Sequence, residues 1–318
     1  MDEPSRRTQL ADRFANYPLI SMFILSPAFP LTVAGLMILA GLIALCIPKL
    51  WVTTPPGFSP KIKVSVLDLA QAAVLRNRAR KHEAAGDFER AHHAWQSAIA
   101  NNGGDVGLLA DSLKNLLRIH NPPREFIETA VSQALWFMRL TGTNDLALDI
   151  VPAVFVKCRI PEYTVSILRR FDPPLPPVRE TAMLKALFLT GRIDEYHRRK
   201  EEFGKSLPQD PELDLCEAGY VAGWGPPEKS QQALRAISEG MEDRNLYEFA
   251  ARVQLVVATK THDIARYEAA LNRLRENETD SLTDHVGYWK LLEAAGRQAE
   301  ARQLAQSYPK VPSSAMEA

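Results

Sequence analysis

The chain has 318 residues, 46% of them hydrophobic, which is enough for one or two domains with a buried core. Its 38 basic and 38 acidic side chains cancel, and this balance excludes a protein that attracts nucleic acid by overall charge. The three cysteines, Cys46, Cys158 and Cys216, lie far apart and lack metal-ligand spacing, so we interpret them as small apolar residues.

The first predicted element is a membrane-spanning helix. No charged residue occurs between Arg13 and Lys49, and the central stretch Leu31–Ile47 has Thr32 as its one polar side chain. A helix over residues 29–51 would be roughly 34 Å long, enough to cross a hydrocarbon core of about 30 Å. We therefore predict a transmembrane helix there. A cleaved signal peptide is disfavoured because no small-residue cleavage site follows the apolar run.

An N-terminal tail, residues 1–28, precedes this helix and ends in a shorter apolar segment at 17–28. Two prolines interrupt that segment, which is too short to span a bilayer, so we expect it to be interfacial or re-entrant. The nearby basic residues number three on each side of the predicted span and give no orientation. Because Lys49 directly follows the span, we favour a cytoplasmic location for the rest of the chain.

Residues 52–65 are predicted to be a proline-rich linker. Prolines favour extended backbone at about 3.1 Å per residue, so ten residues would hold the following domain roughly 30 Å from the bilayer. Ser65, with Asp68 three residues later, predicts a helix that begins with a capping box.

A regular alternation of turns and amphipathic helices occupies residues 66–308. Turn signals recur every 31 to 39 residues, 35 on average, and apolar residues spaced three and four apart flank them. This period is typical of stacked helical hairpins and predicts an all-α protein with about seven of them. The turns centre near Gly86, Asn121, Ile160, Gly191, Gly225, Lys260 and Gly296. The last residues, 309–318, lack this periodicity and are predicted to be a disordered tail.

The first hairpin resembles a tetratricopeptide repeat. Gly86 begins a matching stretch, and small and aromatic residues occupy the helix-crossing positions of that family: Ala79, Ala91, Trp95 and Ala98. The other hairpins match the family mainly in period and amphipathicity. The resemblance implies a right-handed α-solenoid whose concave groove holds an extended peptide or a helix of a partner protein.

The same resemblance places candidate partner-binding residues in that groove. In the first hairpin the groove positions are Ala73, Arg76 and Arg80, and one period later they are Asp111 and Asn115. Arg76 and Arg80 are four residues apart and could together bind carboxylates of a partner. The alternative interpretation is a solvated basic face that contacts anionic lipid.

Besides Arg76, Arg80 and Asn115, Trp224 is a fourth candidate partner-binding residue, because it lies in a turn of glycine and proline rather than on an apolar helix face.

The sequence predicts no catalytic residue, metal site or cofactor: it lacks a phosphate-binding glycine loop and a nucleophile elbow, and its seven histidines are scattered. Binding of other proteins through the surface of the solenoid is therefore the function that we expect.

We therefore expect a single-pass protein of a bacterial-type inner (plasma) membrane, anchored through Leu31–Ile47, whose solenoid recruits or organises partner proteins. Similar anchored repeat proteins act in envelope assembly, secretion and cofactor maturation. The alternative is a constitutive subunit of a multi-span membrane complex, in which the span packs against other helices; Ala40 and Ala44 would suit such packing. An enzyme built on a helical solenoid is the remaining alternative.

Overall fold

The computed structural model describes residues 17–26, 28–46 and 48–308, together with Leu10 and Arg13. This part of the chain is all-α, as predicted, with sixteen α-helices and one hairpin of two very short strands. The tail predicted at 309–318 lies outside the described residues.

Two helices with bounds in the described residues precede the repeats, α1 (Pro18–Leu25) and α2 (Ala28–Cys46). Within the described residues, no helix combines the length and the apolar character needed to cross a membrane. The transmembrane helix predicted at 29–51 is therefore not confirmed. Its predicted end is also wrong: α2 stops at Cys46, because Pro48 has no amide hydrogen to continue the helix, and Trp51 belongs to a strand.

The segment after α2 folds back on itself. Strand β1 (Trp51–Val52) pairs antiparallel with β2 (Lys63–Val64), and the ring of Phe58, between them, lies 5.5 Å from that of Trp136. Val64 is buried. The expectation of an extended spacer is therefore wrong, because the two strands pair and Phe58 packs against a helix of the repeats.

Fourteen helices follow β2 and form seven consecutive pairs, which we call hairpins one to seven. Their bounds are α3 (Val66–Ala84) and α4 (Phe88–Asn101), α5 (Val106–Arg118) and α6 (Arg124–Thr141), α7 (Asp145–Lys157) and α8 (Pro161–Leu168), α9 (Pro177–Leu189) and α10 (Ile193–Phe203), α11 (Pro211–Trp224) and α12 (Pro227–Glu242), α13 (Tyr247–Thr261) and α14 (Ile264–Glu276), and α15 (Leu282–Ala294) and α16 (Gln298–Ser307). A short 3₁₀ turn, Gly204–Ser206, follows α10.

Each predicted turn falls between the two helices of a hairpin or within two residues of that position. Ser65 caps α3 with the predicted capping box: its side chain accepts from the amide of Asp68, and the Asp68 carboxylate accepts from the amide of Ser65. Three of the turns place a glycine in the left-handed region after the first helix, at Gly86, Gly191 and Gly296. The period of the sequence therefore reflects real helix ends.

Consecutive helices contact one another along the whole series, and from α5 to α15 the first helices of neighbouring hairpins also touch. Four buried apolar clusters follow one another along the chain, built around Trp95, Phe137, Phe188 and Leu274. The proline cluster at 173–177 does not interrupt this core, because Val165 of hairpin three and Leu184 of hairpin four belong to the same cluster. The packing is that of a helical-repeat solenoid.

The solenoid curves enough to bring hairpins two and three against hairpin six. Asn121 Nδ2 donates to the carbonyl oxygen of Arg244 at 2.7 Å, and Arg159 Nε donates to Glu248 Oε1 at 2.6 Å. We call these two polar contacts the seam. The inner face of the curve therefore encloses space rather than forming an open groove.

Candidate binding cavities on the inner face

The structure places the predicted groove residues of hairpins one and two in different environments. Arg76 and Arg80 both direct one guanidinium nitrogen to the same carboxylate oxygen, Asp111 Oδ2, at 3.4 Å. Both arginines stay partly exposed. The predicted pair therefore lies on one face, and a carboxylate of the chain itself contacts it.

Asn115 is buried between α4 and α5. Its Nδ2 donates to the carbonyl oxygen of Phe88 at 2.9 Å, and its side chain is 1% exposed. Its Oδ1 has no hydrogen-bond partner in the described part of the chain. The structure therefore does not bring Asn115 to the surface that Arg76 and Arg80 share, and a partner-binding role for these three residues stays a prediction.

Trp224 ends α11 and is half-buried. Its ring stacks nearly parallel to that of Tyr220, with 6.4 Å between centroids, and Lys260 Nζ lies 5.8 Å from its centroid. Trp224 also lines a cavity on the inner face, described below. The structure thus gives this predicted contact residue a position within reach of a ligand.

The first helices of hairpins three to six enclose a space that we call the inner cavity. Its volume is about 300 Å³. Its lining comes from the end of α7, one side of α9, the start of α11 and the start of α13, and includes Val156, Thr181, Lys185, Asp210, Glu248 and Phe249. Apolar and charged side chains share this lining in nearly equal number, and the charged groups of both signs converge on one space, as they do at many ligand sites.

A chain of ion pairs runs along one wall of the inner cavity. Arg159 Nε lies 2.6 Å from Glu248 Oε1, Arg252 Nε lies 3.5 Å from the same oxygen, and Arg252 Nη1 lies 2.9 Å from Asp284 Oδ1. All four side chains are at least 87% buried. Charges removed from water to this degree require such pairing.

Lys185 forms a second buried charge cluster in the same cavity. Its Nζ lies 2.7 Å from Asp210 Oδ2 and 2.7 Å from Glu212 Oε2. Burial alone lowers the pKa of Lys185, but the charges of Glu212 and Asp210 outweigh burial and raise that pKa above its ordinary value. Lys185 is therefore a fixed positive charge rather than a proton donor near neutral pH.

A second cavity, of about 450 Å³, adjoins the inner cavity. The two share Val156, Arg159, Leu189 and Arg252 as lining residues. Trp224 and Lys260 belong to the lining of the second cavity. The buried arginines therefore lie between two spaces that together follow the inner face of the solenoid.

Burial makes the two described cysteines unreactive. Cys158 and Cys216 are buried free thiols, as the sequence predicted. Burial raises the pKa of Cys158 to about 12 and raises that of Cys216 as well, so neither forms a thiolate nucleophile near neutral pH.

Sequence reasoning missed the buried charges of the inner face. Glu248 and Arg252 carried a signal, because they lie four residues apart in an otherwise apolar helix. Arg159 carried no such signal in the sequence. The structure shows that it follows α7 with φ of 67°, the left-handed position that glycine occupies at Gly86, Gly191 and Gly296. This backbone conformation is strained for a residue with a long side chain. Its occurrence at Arg159 indicates that the contacts of the side chain outweigh the strain.

Comparison with known proteins does not assign the chain to a family. No protein family matches the chain, and no curated protein is similar to it.

Proposed function

We propose that this protein is a tetratricopeptide-like, right-handed solenoid that acts as a scaffold and binds a segment of a partner protein on its inner face. The observation that carries the proposal is the pair of adjoining cavities lined by the first helices of consecutive hairpins. A lining that combines apolar side chains with convergent charged groups suits binding, and the repeat pattern of the first hairpin supports the same function.

Trp224 and Lys260 are the contact residues we propose for the partner segment. A half-buried indole offers apolar area together with a polar edge, a combination enriched at the centre of protein interfaces. Lys260, beside the ring, supplies a positive charge to a partner's acidic side chain. Arg76 and Arg80 would extend the contact surface at the other end of the solenoid.

Affinity purification of the full chain in mild detergent tests this proposal. A protein that co-purifies with the unaltered chain should be lost, or its affinity reduced about thirtyfold, when Trp224 is replaced by alanine, since truncating a central aromatic costs about 2 kcal/mol of binding free energy. The matched control is Leu135→Ala, an exposed apolar residue on α6 that lines neither of the two cavities. Equal recovery from both variants would contradict the assigned site.

Membrane attachment is the second part of the proposal. Large apolar side chains of α2 are exposed to solvent, among them Leu31, Leu36 and Met37, each at least 64%. A helix with apolar residues on every side needs an apolar environment. We therefore propose that this segment attaches the protein to a bacterial-type inner membrane, with the solenoid on the cytoplasmic side.

Membrane fractionation and a segment exchange test the attachment. The full chain should stay with membranes in alkaline carbonate, and replacing two exposed residues, Leu36→Asp with Met37→Asp, should release it. Replacing residues 29–47 with an unrelated apolar helix of equal length should retain both attachment and partner recovery. Loss of the partner after the exchange would instead favour a subunit whose N-terminal helix packs against other membrane helices.

A further inference from the structure

The inner cavity is small. Its volume of about 300 Å³ lies at the small end of the range for sites that bind small molecules. Apolar side chains from three helices contribute to its lining: Val156 from α7, the exposed Val178 and the buried Ala182 from α9, and Phe249 from α13. Such walls favour a compact apolar body over an extended chain of polar peptide groups.

Hydrogen-bonding capacity is left unused on two residues of this lining. Arg159 Nη2 and Thr181 Oγ1 are buried and have no hydrogen-bond partner within the described part of the chain. The Arg159 side chain is 92% buried, and Lys157 adds a second positive charge two residues away on the same lining. Native proteins rarely leave buried donors unused, and each such group calls for an acceptor.

The carboxylates of the chain do not supply that acceptor. Glu248 already accepts from Arg159 Nε and lies within ion-pair distance of Arg252, and Lys185 engages both Asp210 and Glu212. A ligand carboxylate has two acceptor oxygens and no donor, so it can accept from a guanidinium nitrogen and from a hydroxyl group of the same lining.

We infer that the inner cavity binds a small organic acid. Its carboxylate is held by Arg159 and Thr181, which turn their free donors toward it, and its apolar body contacts Val178, Ala182 and Phe249. This adds a small-molecule ligand to a protein proposed above to bind a protein partner, and it does not depend on that proposal.

Titration calorimetry of the full chain in detergent tests the inference, with phenylacetate as the probe and phenylacetamide as its neutral match. We expect phenylacetate to bind at least tenfold more tightly than phenylacetamide, because the amide lacks the charge and one acceptor. Thr181→Val removes the hydroxyl at nearly constant volume and should weaken phenylacetate binding about tenfold, the loss expected for one charge-assisted hydrogen bond. The matched control is Thr141→Val on α6, whose hydroxyl donates to the carbonyl oxygen of Phe137 outside the cavity.

The other outcomes overturn the inference. Equal affinity for acid and amide, or phenylacetate binding that Thr181→Val leaves unchanged, would mean that no carboxylate is held at these donors. No binding of either probe would mean that water alone occupies the cavity. A third arm uses the tripeptide Ala-Ala-Leu with a free or an amidated C-terminus. If only the free peptide binds, and Thr181→Val weakens it, the cavity belongs to a partner's chain end: the small-acid inference fails while the proposed scaffold function gains support.

Discussion

At the scale of single residues, His92 shows how burial makes stability depend on pH. Its side chain is 1% exposed, between Gln96 and the ring of Phe126 4.3 Å away, and burial lowers its pKa from 6.5 to about 4. The folded state therefore holds this imidazole neutral, whereas the unfolded chain protonates it near pH 6.5. Because the folded pKa is the lower one, stability is fully present above pH 6.5 and is lost as the pH falls toward 4.

We predict that lowering the pH from 7 to 5 reduces the free energy of unfolding by about 2 kcal/mol through His92 alone, at about 1.4 kcal/mol per pKa unit. Urea denaturation at both pH values measures this loss. His92→Gln should remove most of the pH dependence, because an amide does not titrate in this range. The control His93→Gln changes the exposed neighbour and should leave the dependence intact. A pH dependence that survives in His92→Gln would assign it to other groups.

Arg159 illustrates what single-residue sequence reasoning could and could not reach. The sequence revealed a turn near Ile160, because helical patterns flank it, and the structure has that turn. The role of Arg159 depends on Glu248, which lies 89 residues away and meets it only because the solenoid curves. Local sequence patterns predict where helices end, but they contain no information on which distant hairpins contact each other.

At the scale of elements, the capping box of α3 gives a direct test of how the first repeat begins. Ser65 Oγ accepts from the Asp68 amide at 3.1 Å, and Asp68 Oδ2 accepts from the Ser65 amide at 2.8 Å. Ser65→Ala should lower the free energy of unfolding by about 1 kcal/mol, the usual cost of losing an N-cap side chain. The Ser65 backbone amide, and to a smaller extent its side chain, lower the pKa of Asp68, so that pKa should rise only slightly in the variant, which keeps the amide.

Chemical denaturation and an NMR titration of Asp68 measure the two effects. Ser97→Ala is the matched control, because this exposed hydroxyl donates to the carbonyl oxygen of His93 within its own helix and caps nothing. A Ser65→Ala variant as stable as the control would show that packing alone fixes the start of α3.

The segment before α3 shows where element prediction fails. Its prolines indicated an extended linker, but the segment pairs with itself as two strands, Phe58 contacts Trp136 and Val64 is buried. Composition describes the average behaviour of a segment, whereas a few apolar side chains decide whether it has somewhere to pack. The helical repeats were easier to predict, because the apolar residues spaced three and four apart in each helix form its buried face.

At the scale of the whole molecule, the seam joins distant hairpins through polar contacts. One buried apolar cluster contains residues of both hairpin three and hairpin six, but no cluster in the described residues joins hairpin two to hairpin six or seven. The seam adds the Asn121 contact with Arg244 and the ion pair of Arg159 with Glu248. Polar contacts of this kind break more easily than a buried apolar cluster, so we expect the solenoid to open first at the hairpin-two side of the seam while its hairpins stay folded.

The seam ion pair should respond asymmetrically to substitution. Arg159→Met leaves Glu248 beside Arg252, 3.5 Å away, so the loss of stability should be modest, about 1 kcal/mol. Glu248→Met leaves the Arg159 guanidinium buried without its partner and should cost about 3 to 5 kcal/mol. Combining both substitutions removes the unpaired charge and should recover most of that loss, which urea denaturation of the three variants measures.

The variant with both Arg159→Met and Glu248→Met distinguishes opening of the seam from unfolding of the hairpins. It lacks the seam ion pair but leaves no buried charge without a partner. Amide hydrogen exchange should become faster at residues 119–124 and 243–248 on either side of the seam, while helices such as α11 keep their protection. The control pair Arg297→Met with Glu300→Met removes an exposed ion pair at the start of α16 and should leave exchange at the seam unchanged. If the double variant exchanged no faster at the seam, the apolar clusters alone would hold the solenoid closed, and a ligand would have to enter the inner cavity through a closed ring.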